Sequence, residues 1–467
     1  MKIDVLVAEI GSTTTIVNAF DDISKNPVFI GFGAADTTVL EGDVQIGLSA
    51  AINDLCRNLQ IKEIKFDNFL ATASAAGGLR MSVHGLVYDM TVKAGQEAAL
   101  GAGANIGLTT AGLLNKTDLE LIEKISPNLI LLAGGTDYGD RECTLFNGKM
   151  LCEINNTSPV IYCGNIQNQN QIKELFKEAN KTLYVTENVY PRLDELNIGP
   201  VRKLIHEAFE EHITKAPGME NIRDLVNGAI MPTPGAVMAA ARMLYEEIGD
   251  LIVVDVGGAT TDIHSVTHGN DEIAKIQISP EPFAKRTVEG DLGVYINALN
   301  LAEMIGFAQL GKEIKNDIKD VDIQSIFSEY LPIPKPPEQV ALTSRLAFHA
   351  AQIAITRHAG ILRHTYSASG RKTHAAGKDL TAVRHFVATG GALTRLPEHR
   401  AILEQLTNLN QANANMLYPK PGQMCILEDT RYIMASIGVL TRDFPEVAKA
   451  LLRKYVIQEE DLNEQKI

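Results

Sequence analysis

The chain predicts an α/β fold of two similar lobes closing on a nucleotide cleft, with a further α/β subdomain inserted in its first half. Three observations carry that expectation. Two distant segments share one pattern, Leu6-Val7-Ala8-Glu9-Ile10-Gly11-Ser12-Thr13-Thr14-Thr15 and Leu251-Ile252-Val253-Val254-Asp255-Val256-Gly257-Gly258-Ala259-Thr260-Thr261-Asp262. A similar order of strands and helices follows each of them. Between residues 92 and 191 lies an alternation of short apolar runs and helical stretches that the two-lobe plan does not require.

In each repeated segment an apolar run ends on a carboxylate, passes through glycine and re-emerges through hydroxyl residues into a second β-rich run. Glycine lets the backbone approach an anion and turn N–H groups toward its oxygens, and the hydroxyls donate further hydrogen bonds. A carboxylate just upstream can hold hydrated Mg²⁺. A polyphosphate needs that arrangement.

Taken in order, residues 5–9 and 14–20 read as a hairpin, and 28–33 as a third strand after Asn26-Pro27. A helix over 44–59 and a strand over 69–73 complete the first copy. The second copy reads as strands over 251–255, 261–267 and 272–278, helical sequence from Asp291, and a fourth strand over 385–389. The insert opens with a helix over 92–103 and continues with strands over 129–133, 159–163 and 182–186, reached through helical stretches such as 167–179. Short apolar runs separated by helices predict a parallel α/β unit. Amphipathic helices are expected over 201–211 and 234–248, a surface loop over 332–337, and fraying of the charged tail after Ala448. The expected domains are thus 1–91, completed by helices in 192–248, for the first lobe; 92–191 for the insert; 249–447 for the second lobe; and 448–467 for the tail.

At 467 residues the chain exceeds the usual size of a single core. No apolar run approaches the roughly 20 residues of a membrane span. Met1-Lys2-Ile3-Asp4-Val5 runs directly into a strand, which leaves no room for a signal peptide and suggests a cytoplasmic protein. The net charge of −14, with no basic tract, argues against nucleic acid as a partner. The cysteines, Cys56, Cys143, Cys152, Cys163 and Cys425, lie far apart without a CxxC pair, a pattern of reduced thiols rather than of disulfides, zinc or an iron–sulfur cluster.

Gly11, Ser12, Thr13 and Thr14 are the first phosphate-binding candidates, with Glu9 as a Mg²⁺ ligand through water or a catalytic acid that orients water; taken alone, a plain hairpin turn is the better reading of the motif. Gly257, Gly258, Ala259, Thr260 and Thr261 form the stronger candidate, with Asp255 as catalytic acid and water-mediated Mg²⁺ ligand and Asp262 as a second acid. A third element, Phe386-Val387-Ala388-Thr389-Gly390-Gly391-Ala392-Leu393, ends a strand in Gly-Gly and opens a helix. Bare backbone at Gly390, Gly391 and Ala392 can let a flat adenine and its ribose lie close. Glu289 or Asp291, in Thr287-Val288-Glu289-Gly290-Asp291-Leu292-Gly293, either approaches the ribose or caps the following helix. Leu132-Ala133-Gly134-Gly135-Thr136-Asp137 repeats the strand–glycine theme inside the insert, as a ligand turn or as a simple strand end. His84, His264 and His268 lack metal-ligand spacing.

With these elements in order, the chain resembles the actin/Hsp70/sugar-kinase ATPase superfamily, whose ribonuclease H-like lobes are duplicated about a nucleotide cleft. Further runs resemble the glutamate mutase accessory family, MutL: Ala73-Ser74-Ala75-Ala76-Gly77-Gly78-Leu79-Arg80-Met81, Ala99-Leu100-Gly101-Ala102-Gly103-Ala104, Ile230-Met231-Pro232-Thr233-Pro234-Gly235-Ala236-Val237 and Arg286-Thr287-Val288-Glu289-Gly290-Asp291-Leu292-Gly293. The resemblance runs from Asp4 to about Leu440. It implies a weak ATPase using ATP and Mg²⁺, a reactivating factor or molecular chaperone for an adenosylcobalamin-dependent mutase or aminomutase. Radical turnover sometimes destroys the cofactor's upper ligand, and the accessory protein's ATP/ADP cycle opens the mutase to release the dead cobalamin. The insert, being extra to the ATPase plan, is expected to read the mutase.

Two positions depart from the superfamily pattern. Ile16 stands where related ATPases often carry lysine, and Glu9 where aspartate is usual. Loss of a cation near the phosphates weakens transition-state stabilisation by about 3 kcal/mol, so slow hydrolysis is expected. A small-molecule kinase of the same superfamily, with Asp255 or Asp262 deprotonating an acceptor, and a nucleotide-binding scaffold without turnover are the alternative readings. An activator of acyl-CoA dehydratases would need a bridging iron–sulfur cluster, against which the scattered cysteines speak. Homo-oligomerisation stays open.

Overall fold

The computed structural model describes residues 1–11, 14–38, 42–74, 79–213, 219, 222–223, 225–228, 230–314, 322–367, 370–411 and 414–458, apart from the side chains of 210–213 and 367. The chain divides into two compact units, Met1–Ala239 with Ala435–Leu451, and Ala240–Met434 with Leu452–Ile467.

The first unit opens with an antiparallel meander, β1 (Lys2–Ile10), β2 (Thr14–Asp21) and β3 (Val28–Asp36). Residues 5–10 of β1 are buried on both faces, as a central strand requires. The helix Val44–Asn58 is capped by Asp43, whose side chain accepts from the Gln45 N–H, and it packs on β3. Gly33 permits that contact, since a Cβ there would lie 2.1 Å from the Ala51 carbonyl oxygen. β4 (Lys65–Ala73) then returns parallel to β1.

A second sheet of the same unit is wholly parallel: β5 (Arg80–Gly85), β6 (Asn105–Ala111), β7 (Leu129–Leu132), β8 (Val160–Tyr162) and β9 (Leu183–Val185), in the order β6-β5-β7-β8-β9. β7, β8 and β9 fall where the insert's strands were expected. β5 and β6 were not expected, and with them the sheet opens at Arg80, ahead of residue 92. Polar residues inside β5 hid it. His84 and Ser82 are fully buried and satisfy each other at 2.9 Å, while the second His84 ring nitrogen meets Thr110 Oγ1 at 2.8 Å. After the helix Gly199–Ile213, β10 (Met231–Pro232) joins β4, giving the first sheet the order β10-β4-β1-β2-β3.

The second unit repeats that first sheet. β11 (Leu251–Val256), β12 (Thr261–Val266) and β13 (Ala284–Glu289) form the meander. A separate hairpin, β14 (Ile361–Ser367) with β15 (Gly370–Ala376), precedes β16 (His385–Thr389) and β17 (Cys425–Glu428), and these last two add parallel strands beside β11. The order β13-β12-β11-β16-β17 is third, second, first, fourth, fifth, as in the first sheet. Two sheets of this one order make the fold the duplicated, ribonuclease H-like plan of the actin/Hsp70 ATPases. The helix Pro337–His358 lies against β12 and β13, where the buried His358 ring meets Ser265 Oγ at 2.8 Å and Thr287 Oγ1 at 2.9 Å.

Three expectations need correction. The third strand of the second copy is β13, not 272–278. Asn270 caps a short helix, Asp271–Ala274, and its side chain accepts from the Glu272 N–H at 2.9 Å. Helix does not begin at Asp291 but at Ala298, because the N–H groups of Val294, Tyr295 and Ile296 bond to the carbonyls of Gly257 and Gly258 instead. The tail does not fray at Ala448, and its residues 459–467 lie outside the described residues. The helix Pro445–Leu452 continues into Arg453–Ile457, and Val456 and Ile457 are buried. Among the described residues, no helix is long and apolar enough to cross a membrane.

Candidate functional site

The two glycine turns are built alike. In the second unit the Gly257 N–H donates to the Thr260 carbonyl at 2.9 Å, and the β11–β12 register places Asp255 opposite Asp262. In the first unit the Gly11 N–H donates to the Thr14 carbonyl at 3.0 Å, and Glu9 lies opposite Ile16. Glu9 is thus the structural counterpart of Asp255, and Ile16 of Asp262. Ser12 and Thr13 lie outside the described residues.

Each turn is braced by the segment that follows its third strand. Thr37 Oγ1 donates to the Gly11 carbonyl at 2.9 Å, and the Val294 N–H donates to that of Gly257 at 3.1 Å. In the second unit the bracing goes further. The Gly258 carbonyl accepts from Tyr295 and Ile296, at 2.9 and 2.8 Å. Asn297 Nδ2 donates to the carbonyls of Ala259, at 2.9 Å, and Gly290, at 2.7 Å. Gly293 allows this approach, since a Cβ there would lie 2.3 Å from the Ala259 carbonyl. With three successive carbonyls tied back, what the turn offers an incoming group is N–H, the polarity an anion seeks. Thr261, named above as a phosphate ligand, is fully buried and donates to the Leu292 carbonyl at 2.7 Å.

Asp255 is half-buried at the end of β11. Burial, then the charges of Asp262 and Asp429, push its carboxyl up to about 7, with only Arg286 pulling the other way. Asp262 is held by a buried guanidinium: Arg286, 1% exposed, donates from Nε at 2.8 Å, and its Nη2 lies 2.6 Å from the same oxygen. Thr260 Oγ1 donates to the other Asp262 oxygen at 3.1 Å. Its place in the site is therefore that of a counter-charge.

The β16 turn comes down on the Asp255 carboxylate. Gly390 has φ +85°, and a Cβ there would stand 2.6 Å from Asp255 Oδ1 and 2.7 Å from the Val256 carbonyl oxygen, so only glycine fits. Beside it Gly391 is exposed, and a Cβ there would meet nothing within 4 Å; Ala392 is half-buried. Glu289 and Asp291 are both bound by Arg357, the latter at 3.0 Å. Burial pushes the Glu289 carboxyl up against that pull, while Arg357 holds Asp291 down. Glu9 is buried at the end of β1.

Sequence reasoning missed Arg286, Arg357, Asn297 and Asp429. Asp429, just beyond β17, is buried and accepts from Thr389 Oγ1 at 3.0 Å and from the Ile433 and Met434 N–H groups, each at 2.9 Å. The acids at the ends of parallel β11 and β17 thus flank Thr389 of β16. The signal was an acid after the apolar run Cys425-Ile426-Leu427, but four residues are too short a strand to stand out.

The donor set suits a hydrated divalent cation. Among the described residues no group of three His, Cys, Asp or Glu side chains is arranged to chelate a metal directly. Asp255, crowded by two further carboxylates, is a group whose charge a nearby cation relieves.

The family model for MutL protein matches residues 5–456. Protein MutL of Clostridium tetanomorphum is 37% identical over 463 residues, which are 97% of this chain and 99% of that protein. Among solved structures, nucleotide-free acetone carboxylase is similar with TM-score 0.40 and 11% identity over 94% of this chain and 70% of that one. Component A of (R)-2-hydroxyglutaryl-CoA dehydratase from Acidaminococcus fermentans is similar with TM-score 0.31 and 9% identity, over 96% of this chain and 99% of that one. The fold follows from the strand order of the two sheets.

Proposed function

The chain belongs to the MutL protein family, the glutamate mutase accessory proteins, and from that premise we propose that it is an ATP-dependent reactivating factor for an adenosylcobalamin-dependent mutase or aminomutase. The observation that carries the nucleotide part is Asp255, a carboxylate pushed up to about 7 beside a glycine turn whose carbonyls are tied back. The N–H groups of Gly258, Ala259 and Thr260 bind phosphate oxygens, and the sequence pattern gives Gly11, Ser12, Thr13 and Thr14 the same role. Adenine and ribose lie against Gly390, Gly391 and Ala392, with Glu289 and Asp291 near the ribose hydroxyls.

Asp255 would hold hydrated Mg²⁺, which when bound would offset phosphate charge, and Glu9 is its counterpart in the first unit for the same role. With its proton affinity near neutrality, Asp255 can also take a proton from attacking water. Asp262 keeps Arg286 in place beside it, and Thr260 is oriented by the same carboxylate. Ile16 supplies no cation, so hydrolysis is slow. ATP and ADP differ in the phosphate these groups contact, and that differential contact biases the protein between two states. One state engages the mutase and lets inactive cobalamin leave.

The test uses purified glutamate mutase loaded with cyanocobalamin as the inactive complex. Release of cobalamin, followed by absorbance after gel filtration, should require this chain and MgATP together and should be lost in Asp255→Ala. Nucleotide binding without release supports the scaffold reading. ATP consumption driven by a sugar or acyl acceptor, with no protein partner, supports the kinase.

A further inference from the structure

The five strands β5 to β9 run parallel, so their carboxyl ends lie along one edge, and the register sets them level. Gly85 pairs with Ala111, His84 with Leu132, Leu132 with Tyr162, and Tyr162 with Val185. The segment that leaves each strand at this edge exposes a large apolar side chain. Val87 and Tyr88 follow β5, Leu113 (61% exposed) follows β6, Tyr138 (77%) follows β7, Ile166 follows β8 and Leu193 (72%) follows β9. Single exposed apolar residues are ordinary, but one or more from every loop of one sheet edge mark a binding face.

The edge is also rigid. Asn165, fully buried, accepts from the N–H groups of Tyr138 and Gln167, at 3.2 and 3.0 Å, and donates to the carbonyls of Gly139 and Asp140. Asn188, nearly as buried, donates to the Gly135 carbonyl and to Asp137 Oδ1, each at 3.0 Å. The glycine turn of Gly134-Gly135-Thr136-Asp137 is therefore a frame that fixes the loops around it. Within this frame Tyr138 has φ +64° and Asp194, next to Leu193, φ +59°. A tyrosine in left-handed backbone is strained, and such strain collects where function requires it. Here it projects an aromatic ring into water. The exposed charges among these residues are mainly acidic, Asp89, Asp140, Glu142, Glu187 and Asp194 against Lys116, Arg141 and Arg192.

We infer that this edge is the surface on which the chain docks its client protein, and that the client presents an apolar patch rimmed by lysine and arginine. The inference rests on the reactivating-factor reading and adds which face makes the contact. Nucleic acid does not fit an acidic rim. Tyr138 and Leu193 are the anchors, and preorganisation by Asn165 and Asn188 keeps the ordering cost of binding low.

The experiment measures binding of the full-length chain to purified glutamate mutase by surface plasmon resonance, with MgATP and with MgADP. Leu193→Ser and Tyr138→Asn should each weaken binding at least tenfold. Tyr138→Asn relieves the left-handed strain, so its thermal midpoint should stay level or rise while affinity falls, a split that a merely structural tyrosine would not give. Tyr366→Ser, at an exposed aromatic of the second unit, should bind as wild type. Affinity should fall with added salt. Full affinity in both edge variants, or affinity that rises with salt, overturns the docking face and leaves the reactivating role standing. Absence of binding by the wild-type chain in either nucleotide overturns both.

Discussion

Replacing Asp255 by asparagine should make the nucleotide-free protein more stable at alkaline pH while removing its function. The carboxyl titrates near 7 in the folded protein instead of at its ordinary 3.8. A raised folded value means that the folded state holds the proton more tightly, so stability falls as pH rises from about 4 through 7. A rise of about 3 pH units corresponds to about 4 kcal/mol. Asp255 keeps part of its surface in water, which halves the expectation to about 2 kcal/mol. Asparagine keeps the shape without the charge. Urea melts of both proteins at pH 4, 6 and 8, without nucleotide or Mg²⁺, should therefore coincide at pH 4 and separate at pH 8, with the variant higher by about 2 kcal/mol. All other titrating groups are common to the two, so the difference isolates this carboxyl. MgATP should then stabilise the wild type and leave the variant unchanged. A gap that does not vary with pH, or a variant less stable at pH 8, would rule out a raised Asp255 carboxyl.

Gly390→Ala should lose about 2 kcal/mol or more in urea melts, since its methyl group meets Asp255 Oδ1 and the Val256 carbonyl at positive φ. Gly391→Ala meets nothing and should melt as wild type, yet weaken MgATP binding in calorimetry, because the added methyl lies on the proposed adenine face. Asp262→Ala removes the carboxylate that Arg286 holds and should cost about 3 kcal/mol, most of it recovered in the double variant Asp262→Leu/Arg286→Met. Burial pushes His84 down to about 4 and His264 to about 3, so in acid both gain protons more readily when unfolded. Their contribution is full above pH 6.5 and lost as pH falls toward those values, at about 2.5 kcal/mol each by pH 4.5. His84→Asn should accordingly lose less stability than wild type between pH 7 and 4.5.

The features readable in the sequence are those whose cause is local. Both glycine turns, the first two strands of each meander and β16 follow from short apolar runs ending in carboxylate, hydroxyl or glycine, and the duplication follows from their order. β5 escaped because His84 and Ser82 satisfy each other inside it, so a buried strand carried polar letters. β13 was misplaced because residues 272–278, with Ile273, Ile276 and Ile278, are apolar enough for a strand while Asn270 caps their start as helix. The site's electrostatics depend on pairs that spacing cannot reveal. Asp262 finds Arg286, Asp291 finds Arg357, and Asp255 is perturbed by Asp429, each across tens to hundreds of residues. By composition Thr261 reads as a phosphate ligand and Asp262 as a second acid, and in the fold Thr261 donates to the Leu292 carbonyl while Asp262 binds the buried Arg286 guanidinium.

Amide hydrogen exchange of the full-length chain, with and without MgATP, reads nucleotide binding at the backbone groups proposed to make it. Exchange at Gly258, Ala259 and Thr260 and at Gly391 and Ala392 should slow when MgATP is added, with no such change in Asp255→Ala. Unchanged exchange at those backbone positions under saturating MgATP would contradict it.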